Sequence, residues 1–117
     1  MPAEIRRGEI WWADLDEPRG SEPGYHRPVL IVQANAFNRS RISTVVAIGL
    51  TTNLRLVDGP GNVLVSSKAS GLPRDSVANV SQLMTLDREY LDRPVGQLPQ
   101  RQMAAIDAGL KLVLGLP

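Results

Sequence analysis

"PVLIVQ", residues 28–33, and "STVVAIGLTT", residues 43–52, are near-continuous apolar runs of strand length. Runs of this kind predict strands that are buried on both faces of a sheet or closed into a barrel. Turn-rich segments separate them from four further strand-like runs: GEIWWADL (8–15), NVLVS (62–66), DSVANVSQLMTL (75–86) and a short RPVGQL (93–98). The sequence therefore predicts a mainly β protein with a small, strongly curved antiparallel sheet.

The C-terminal segment is the clearly helical part of the chain. Pro99 suits the first position of a helix, and apolar residues recur after it at intervals of three and four: Met103, Ile106, Leu110 and Val113. Gly115 and Pro117 are expected to end the helix. We interpret the apolar stripe as core-facing. A contribution to a subunit interface is the alternative, because small residues on this helix would allow close approach: Ala105, Ala108 and Gly109. A short helical turn is predicted at residues 87–91.

The composition is that of one ordinary globular domain. The chain has 117 residues, of which 43% are hydrophobic and 21% charged, so we expect a single domain over residues 1–117. It has no cysteine and one histidine, which excludes disulfides and argues against a histidine-built metal site. We therefore expect neither a metal nor a cofactor. No segment has the pattern of a signal peptide or a spanning helix, so we predict a cytoplasmic protein with no membrane partner.

The net charge of +1 conceals an uneven distribution of charges along the chain. Residues 19–74 contain seven basic and two acidic residues, a net charge of +5. Eleven of the thirteen basic residues in the whole chain are arginine, whose planar guanidinium suits bidentate contact with phosphate. This composition favours a nucleic-acid partner. A solvated basic surface without a ligand is the alternative that composition leaves open.

Several short motifs follow one another in order along nearly the whole chain. They are RGEIWWADL (7–15), GSE (20–22), HRPVLIV (26–32), FN (37–38), TT (51–52) and DSVANVSQL (75–83) with GL before it. In this order and spacing the sequence resembles the MazF/PemK family of toxin ribonucleases, the killing half of bacterial toxin–antitoxin pairs. The combination is specific, although a motif such as RPVL is common when it stands by itself.

The resemblance implies a fold, an activity and partners. The implied fold is an SH3-like partial barrel of the plasmid-toxin type, shared by CcdB-like and MazF-like proteins, and it forms a homodimer. The implied activity is that of a metal-independent endoribonuclease, an mRNA interferase that cuts single-stranded RNA at short sequences. The implied protein partner is a cognate MazE-like antitoxin, whose disordered tail folds across the basic groove and residues 16–26 and blocks RNA.

The resemblance also implies site residues. The family has a catalytic arginine in its RPV element and a catalytic threonine after its third strand, which correspond to Arg27 and Thr51 here, with Thr52 as the near alternative. The acidic residue of the GSE element corresponds to Glu22, a further catalytic candidate for proton transfer. We predict that RNA is bound by residues near these positions: His26, Tyr25, Arg19, Ser21, Thr52, Asn53 and Gln82.

The residues themselves constrain how such a site could cleave RNA. Attack by the 2′-hydroxyl requires a base, a group that stabilises the charged phosphorane, and an acid for the leaving 5′-oxygen. A chain with only His26 lacks the two-histidine solution, so an arginine must carry the electrostatic part. Arg27 is the candidate, because a permanently charged guanidinium holds phosphate well and is a poor base. Glu22, His26, water and Arg27 itself remain open as proton carriers, and we interpret His26 as a residue that lines the site.

Two other functional classes remain open at this stage. One is a non-enzymatic, gyrase-directed toxin of the CcdB type on the same barrel, and the other is an RNA-binding barrel without catalysis. The basic middle of the chain and the arginine–threonine pair count against the gyrase-directed class. Trp11 and Trp12 lie on opposite faces of their strand, so we expect at least one to be in the core, and the other could stack on an unpaired base.

Overall fold

One antiparallel sheet of six strands dominates the structure. The computed structural model describes residues 4–15, 20 and 25–117. Within these residues the strand order is β4-β5-β3-β2-β1-β6, and every neighbouring pair is antiparallel. The strands are β1 (Glu9–Leu15), β2 (Tyr25–Ile31), β3 (Thr44–Thr51), β4 (Val63–Val65), β5 (Ser76–Asp87) and β6 (Leu91–Gln97). The prediction of a mainly β, antiparallel fold is confirmed.

The helical elements are one long helix and several short turns. The C-terminal helix α3 spans Gln100–Leu114, and Pro99 lies one residue before it, as its N-cap, and not at the first helical position. A 3-10 turn at Arg88–Tyr90 confirms the turn predicted at residues 87–91. The sequence did not predict the four-residue helices α1 (Asn35–Asn38) and α2 (Ser67–Ser70) or the 3-10 helix Leu54–Asp58. These elements are too short to show helical periodicity.

The sheet has a hydrophobic core on each face, because β2 and β3 are apolar on both sides. Leu30 and Ile48 belong to the core under α3, which also contains Met103 and Ile106. The opposite face carries a second core, built from Trp11, Ala13, Val29, Ile31, Val45, Ala47 and Leu86. This arrangement explains why two short runs of continuous apolar residues are required in the sequence. Trp11 is the buried tryptophan, whereas Trp12 is half-buried.

Close backbone packing brings α2, which lies between β4 and β5, against β6 at the other edge of the sheet. A Cβ on Gly96 would lie 2.3 Å from the carbonyl oxygen of Ser70, so only glycine fits in β6 at this point. Gly71 ends α2 with a φ of +81°, and a Cβ there would lie 2.8 Å from the carbonyl oxygen of Val95. The contact brings the two edges of the sheet together and curls it into a partial barrel.

A buried polar network fixes the end of β2 against β3. The amides of Val32 and Gln33 both donate to the carbonyl oxygen of Val46, which produces a bulge in the ladder. Gln33 accepts from the amide of Val46 at 3.2 Å and donates to the Oδ1 of Asn38 at 2.9 Å. Asn38 in turn donates to the carbonyl oxygen of Gln33 at 3.0 Å and to the Oδ1 of Asn35 at 3.0 Å. The network satisfies these buried groups and holds the register of the two central strands.

Helix α3 packs through the stripe that its periodicity predicted, but only along part of its length. Met103 and Ile106 are buried, whereas Val113 is 43% exposed. Gly109 is also buried, and its close approach is to Gly61 of the same chain: a Cβ there would lie 2.1 Å from the Gly61 carbonyl oxygen. The core-facing interpretation of the stripe is therefore confirmed, and this glycine has a packing role within the chain.

We predict that Gly109→Ala destabilises the protein, although alanine is the better helix former by about 1 kcal/mol. The added Cβ would collide with backbone, which cannot move aside as a side chain can, and such overpacking costs about 1–3 kcal/mol. Urea unfolding should therefore show a lower free energy of unfolding. Ala108→Gly at the exposed neighbouring position measures the propensity effect alone. A Gly109→Ala protein more stable than the wild type would contradict this packing.

Candidate functional site

A cavity of about 270 Å³ opens at one end of the sheet. The start of β2, the end of β3 and the start of β5 meet at this end because neighbouring strands are antiparallel. One part of the lining is apolar: Trp12, Pro28, Leu50, Leu72 and Pro73. The other part is polar: His26, Arg27, Thr52, Arg74 and Ser76. The cavity therefore combines a flat, apolar wall with two guanidinium groups.

The imidazole of His26 is fixed by stacking and by acidic neighbours. Its ring lies 4.8 Å from the Trp12 ring, centroid to centroid, with an angle of 14° between the planes. The pairing of β1 with β2 produces this stack, because Trp12 is opposite Pro28 and Asp14 is opposite His26. The Nε2 of His26 lies 3.3 Å from the Oδ2 of Asp92 and 3.9 Å from the Oδ1 of Asp14. Both aspartates therefore lie on the Nε2 side of the ring.

Arg27 lies near the start of β2 and is opposite Ala13 of β1. The residue is exposed and is among those that line the cavity. In the part of the chain that the structure describes, no carboxylate lines this cavity, so its charge comes from Arg27 and Arg74. An apolar wall excludes water and strengthens the interaction of these cations with an anion. The cavity is suited to a phosphate group attached to a flat, apolar moiety.

The two predicted threonines lie at the end of β3 but differ in position. Thr52 lines the cavity, and Thr51 lies beside it, outside the lining. The Thr51 Oγ1 accepts a hydrogen bond of 3.1 Å from the amide of Asn53, and a hydroxyl that accepts one bond can still donate another. Strands β2 and β3 pair Val29 with Gly49. Continued by two residues, this register would set Arg27 opposite Thr51.

The remaining predicted residues have varied positions. Tyr25, at the start of β2, is 59% exposed and has an unusual φ of +61°. Asn53 caps the 3-10 helix after β3 by accepting a bond of 3.3 Å from the Arg55 amide. Gln82 lies where the β3–β5 register shifts, and it is not among the residues that line the cavity. The other three predicted positions lie outside the described residues: Arg19, Ser21 and Glu22.

The sequence analysis did not identify the wall of the cavity that precedes β5. Leu72, Pro73, Arg74 and Ser76 belong to this wall, and they follow one another in the segment LPRDS. The only sequence signal was the inclusion of Arg74 among the basic residues of the middle of the chain. Its location beside Arg27 depends on the pairing of β3 with β5, which places Thr51 opposite Val77.

The described residues were also searched for a metal site and for a membrane-spanning helix. Within residues 4–15, 20 and 25–117, no group of three or more histidine, cysteine or acidic side chains is arranged to hold a metal ion. No helix among the described residues has both the length and the apolar character needed to cross a membrane.

A curled antiparallel sheet with an arginine-lined cavity at one end defines a class of small β proteins suited to an anionic ligand. The family described as PemK-like, MazF-like toxin of type II toxin-antitoxin system matches residues 6–114. The chain therefore belongs to this toxin family, and the resemblance that its motifs predicted is confirmed.

Named relatives agree with the family assignment. The endoribonucleases MazF2 of Mycobacterium bovis and MazF6 of Mycobacterium tuberculosis are each 46% identical to the chain over 112 residues, which covers 96% of the chain and 98% of each relative. Among solved structures, an endoribonuclease in complex with its cognate antitoxin from a Mycobacterial species is 31% identical, with a TM-score of 0.74. That match covers 97% of this chain and 96% of the other.

Proposed function

We propose that the protein is a sequence-specific endoribonuclease that cleaves single-stranded RNA without a metal ion and acts as the toxin of a toxin–antitoxin pair. The observation that carries the proposal is the cavity at Arg27, in which two arginines, hydroxyl-bearing residues and an apolar wall meet. The 46%-identical relatives named as endoribonucleases support the same activity. A homodimer belongs to the proposal through the family resemblance, and sedimentation equilibrium would measure its mass.

The proposed reaction is an internal transfer at phosphorus. The 2′-oxygen forms a bond to phosphorus, the bond from phosphorus to the 5′-oxygen breaks, and the products are a 2′,3′-cyclic phosphate and a 5′-hydroxyl. A base removes the proton of the 2′-hydroxyl, and an acid supplies one to the leaving 5′-oxygen. Arg27 stabilises the negative charge that accumulates on the phosphorane oxygens, and the Thr51 hydroxyl donates to one of them.

Two residues are candidates for the proton transfers. His26 lines the cavity, and its pairing with Asp92 through Nε2 would leave Nδ1 to exchange a proton with the RNA. Glu22, which lies outside the described residues, is the second candidate from the family resemblance.

We predict that the purified protein cuts a long single-stranded RNA at discrete sites in excess EDTA, and that Arg27→Gln reduces the rate at least about a hundredfold. The reason is that glutamine cannot neutralise the phosphorane charge. Mapping of the product ends gives the cleavage motif and shows whether cyclic phosphate and 5′-hydroxyl ends are formed.

The control for this assay is Arg41→Gln, which removes an exposed arginine before the start of β3, whereas the cavity lies where β3 ends. It should leave the cleavage rate within about twofold. A fully active Arg27→Gln protein would contradict the assignment of Arg27 as a catalytic residue. Intact RNA with the wild type, under conditions in which it folds, would instead favour the gyrase-directed or purely RNA-binding class.

The two threonines should separate into different kinetic roles. Thr51→Ala should lower kcat roughly a hundredfold with little change in KM, because it removes a hydrogen-bond donor to the transition state. Thr52→Ala should mainly raise KM, because Thr52 lines the cavity in which RNA is bound. Thr51→Ser retains the hydroxyl and should recover most of kcat. A larger loss of kcat in Thr52→Ala than in Thr51→Ala would reverse the assignment.

We also propose that a cognate MazE-like antitoxin inhibits the protein by covering its basic surface. The solved endoribonuclease that is 31% identical to the chain is in complex with its cognate antitoxin, which supports a partner of this kind. An acidic tail with interspersed apolar residues would complement both the guanidinium groups and the apolar wall of the cavity.

The antitoxin proposal predicts competition. A peptide with the sequence of the cognate tail should displace single-stranded RNA from the wild-type protein in a fluorescence-anisotropy assay, and the same residues in scrambled order should displace it much less. Formation of a ternary complex of peptide, RNA and protein would show that the tail binds elsewhere.

A further inference from the structure

We propose that Arg74 binds the RNA phosphate next to the one held by Arg27, so that the backbone passes from Arg27 towards the loop before β5. This inference rests on the proposed function. It adds an RNA-binding residue and the direction in which the RNA backbone leaves Arg27. Both arginines line the same cavity. The apolar wall between the start of β2 and this loop includes Pro28, Leu72 and Pro73, and it offers the intervening base a surface against which to lie.

The backbone that carries Arg74 is anchored on its N-terminal side. Gly71 ends α2, and its packing against β6 leaves no room for a side chain. The amide of Leu72 donates to the Ser70 Oγ at 3.0 Å, and Leu72 is only 5% exposed in the core. Pro73 then restricts the backbone immediately before the arginine.

The C-terminal side of the same loop is anchored equally well. The Oδ1 of Asp75 accepts a bond of 2.8 Å from the amide of Ser67, the first residue of α2. Ser76 is 2% exposed and begins β5, and its hydroxyl donates to the Arg74 carbonyl oxygen at 3.4 Å. Arg74 is therefore the middle of three exposed residues, 73–75, that are held at both ends by the buried Leu72 and Ser76. Folding has already ordered this backbone. Preorganisation of this kind favours a specific binding role.

The charge distribution around the cavity gives the direction. On the side of β1 and β6, Asp14 and Asp92 lie within 4 Å of His26, and their carboxylates would repel a phosphate. On the side of the loop, Arg74 presents a guanidinium, and the carboxylate of its neighbour Asp75 accepts from the Ser67 amide. Arg93 is the competing cation on the acidic side: it is exposed, neighbours Asp92 in β6, and is opposite Trp12. RNA that passes Arg74 would leave the cavity on the side of the loop, whereas RNA that passes Arg93 would leave it on the side of β6.

The experiment compares Arg74→Gln with Arg93→Gln. The probe is an oligoribonucleotide with the mapped cleavage motif and a 2′-O-methyl group at the attacking position, which prevents cleavage. Fluorescence anisotropy gives Kd as a function of salt for each protein. One lost phosphate contact reduces the salt slope of log K by about 0.7, which corresponds to roughly fivefold weaker binding at 0.1 M salt and to convergence with the wild type near 1 M.

We expect this change for Arg74→Gln and a smaller one for Arg93→Gln. Arg74→Lys should keep most of the slope, because it keeps the positive charge. With RNA that lacks the 2′-O-methyl block, Arg74→Gln should raise KM by a similar factor. Unfolding in urea confirms that each variant is folded.

Two results would overturn the role of Arg74 while leaving the proposed function intact. One is an unchanged salt slope in Arg74→Gln when the wild type cuts RNA. The other is a loss of slope in Arg93→Gln larger than that in Arg74→Gln, which would place the backbone on the side of β6. Failure of the wild type to cut or bind RNA would refute the proposed function itself.

Discussion

The pairing of β2 with β3 in a single register is the constraint on which the site depends. Val29 is opposite Gly49 and Leu30 opposite Ile48, and this pairing brings the start of β2 and the end of β3 to the same edge of the sheet. A slip by one residue would move every side chain of β2 to the other face. Because both strands are apolar on both faces, hydrophobicity alone would not prevent such a slip. The buried hydrogen bonds from Gln33 to Val46 and Asn38 hold the register.

The chemistry of the cavity follows from what that edge brings together. His26 and Arg27 come from β2, Thr52 follows β3 and Ser76 begins β5, and apolar side chains lie beside them. The cavity has no lining carboxylate among the described residues, while two aspartates lie on the far side of His26. Among the described residues, the acidic and basic groups are thus on different sides of the cavity. This arrangement also gives the histidine a different environment from that of the two arginines.

Much of the fold could be predicted because its main elements are strongly patterned. The apolar runs at 28–33 and 43–52 and the spacing of Met103, Ile106 and Leu110 each correspond to an observed element. Helices α1 and α2 could not be predicted, because four residues show no periodicity. Strand β2 begins three residues earlier than the apolar run, since its first residues are polar and pair with β1 at the mouth of the cavity.

Residues of the site could be predicted only where they belong to a motif of the toxin family. Arg27 and Thr51, with Thr52 as its near alternative, came from the family resemblance. Arg27 and Thr52 line the cavity, whereas Thr51 is not among the lining residues. Arg74 could not be identified from its own sequence context, because its position depends on the pairing of β5 with β3 and on the packing of α2 against β6. The placement of Gln82 depends on an irregular register that alternation does not reveal.

The central claim is that RNA is bound in this cavity with its scissile phosphate on Arg27. The most direct measurement is a crystal structure of the wild-type protein with an oligoribonucleotide that contains the cleavage motif and is blocked by a 2′-O-methyl group. We expect the scissile phosphate to lie within hydrogen-bond distance of the Arg27 guanidinium and the adjacent base to pack against the apolar wall. RNA bound on another face of the sheet, with no phosphate near Arg27, would contradict it.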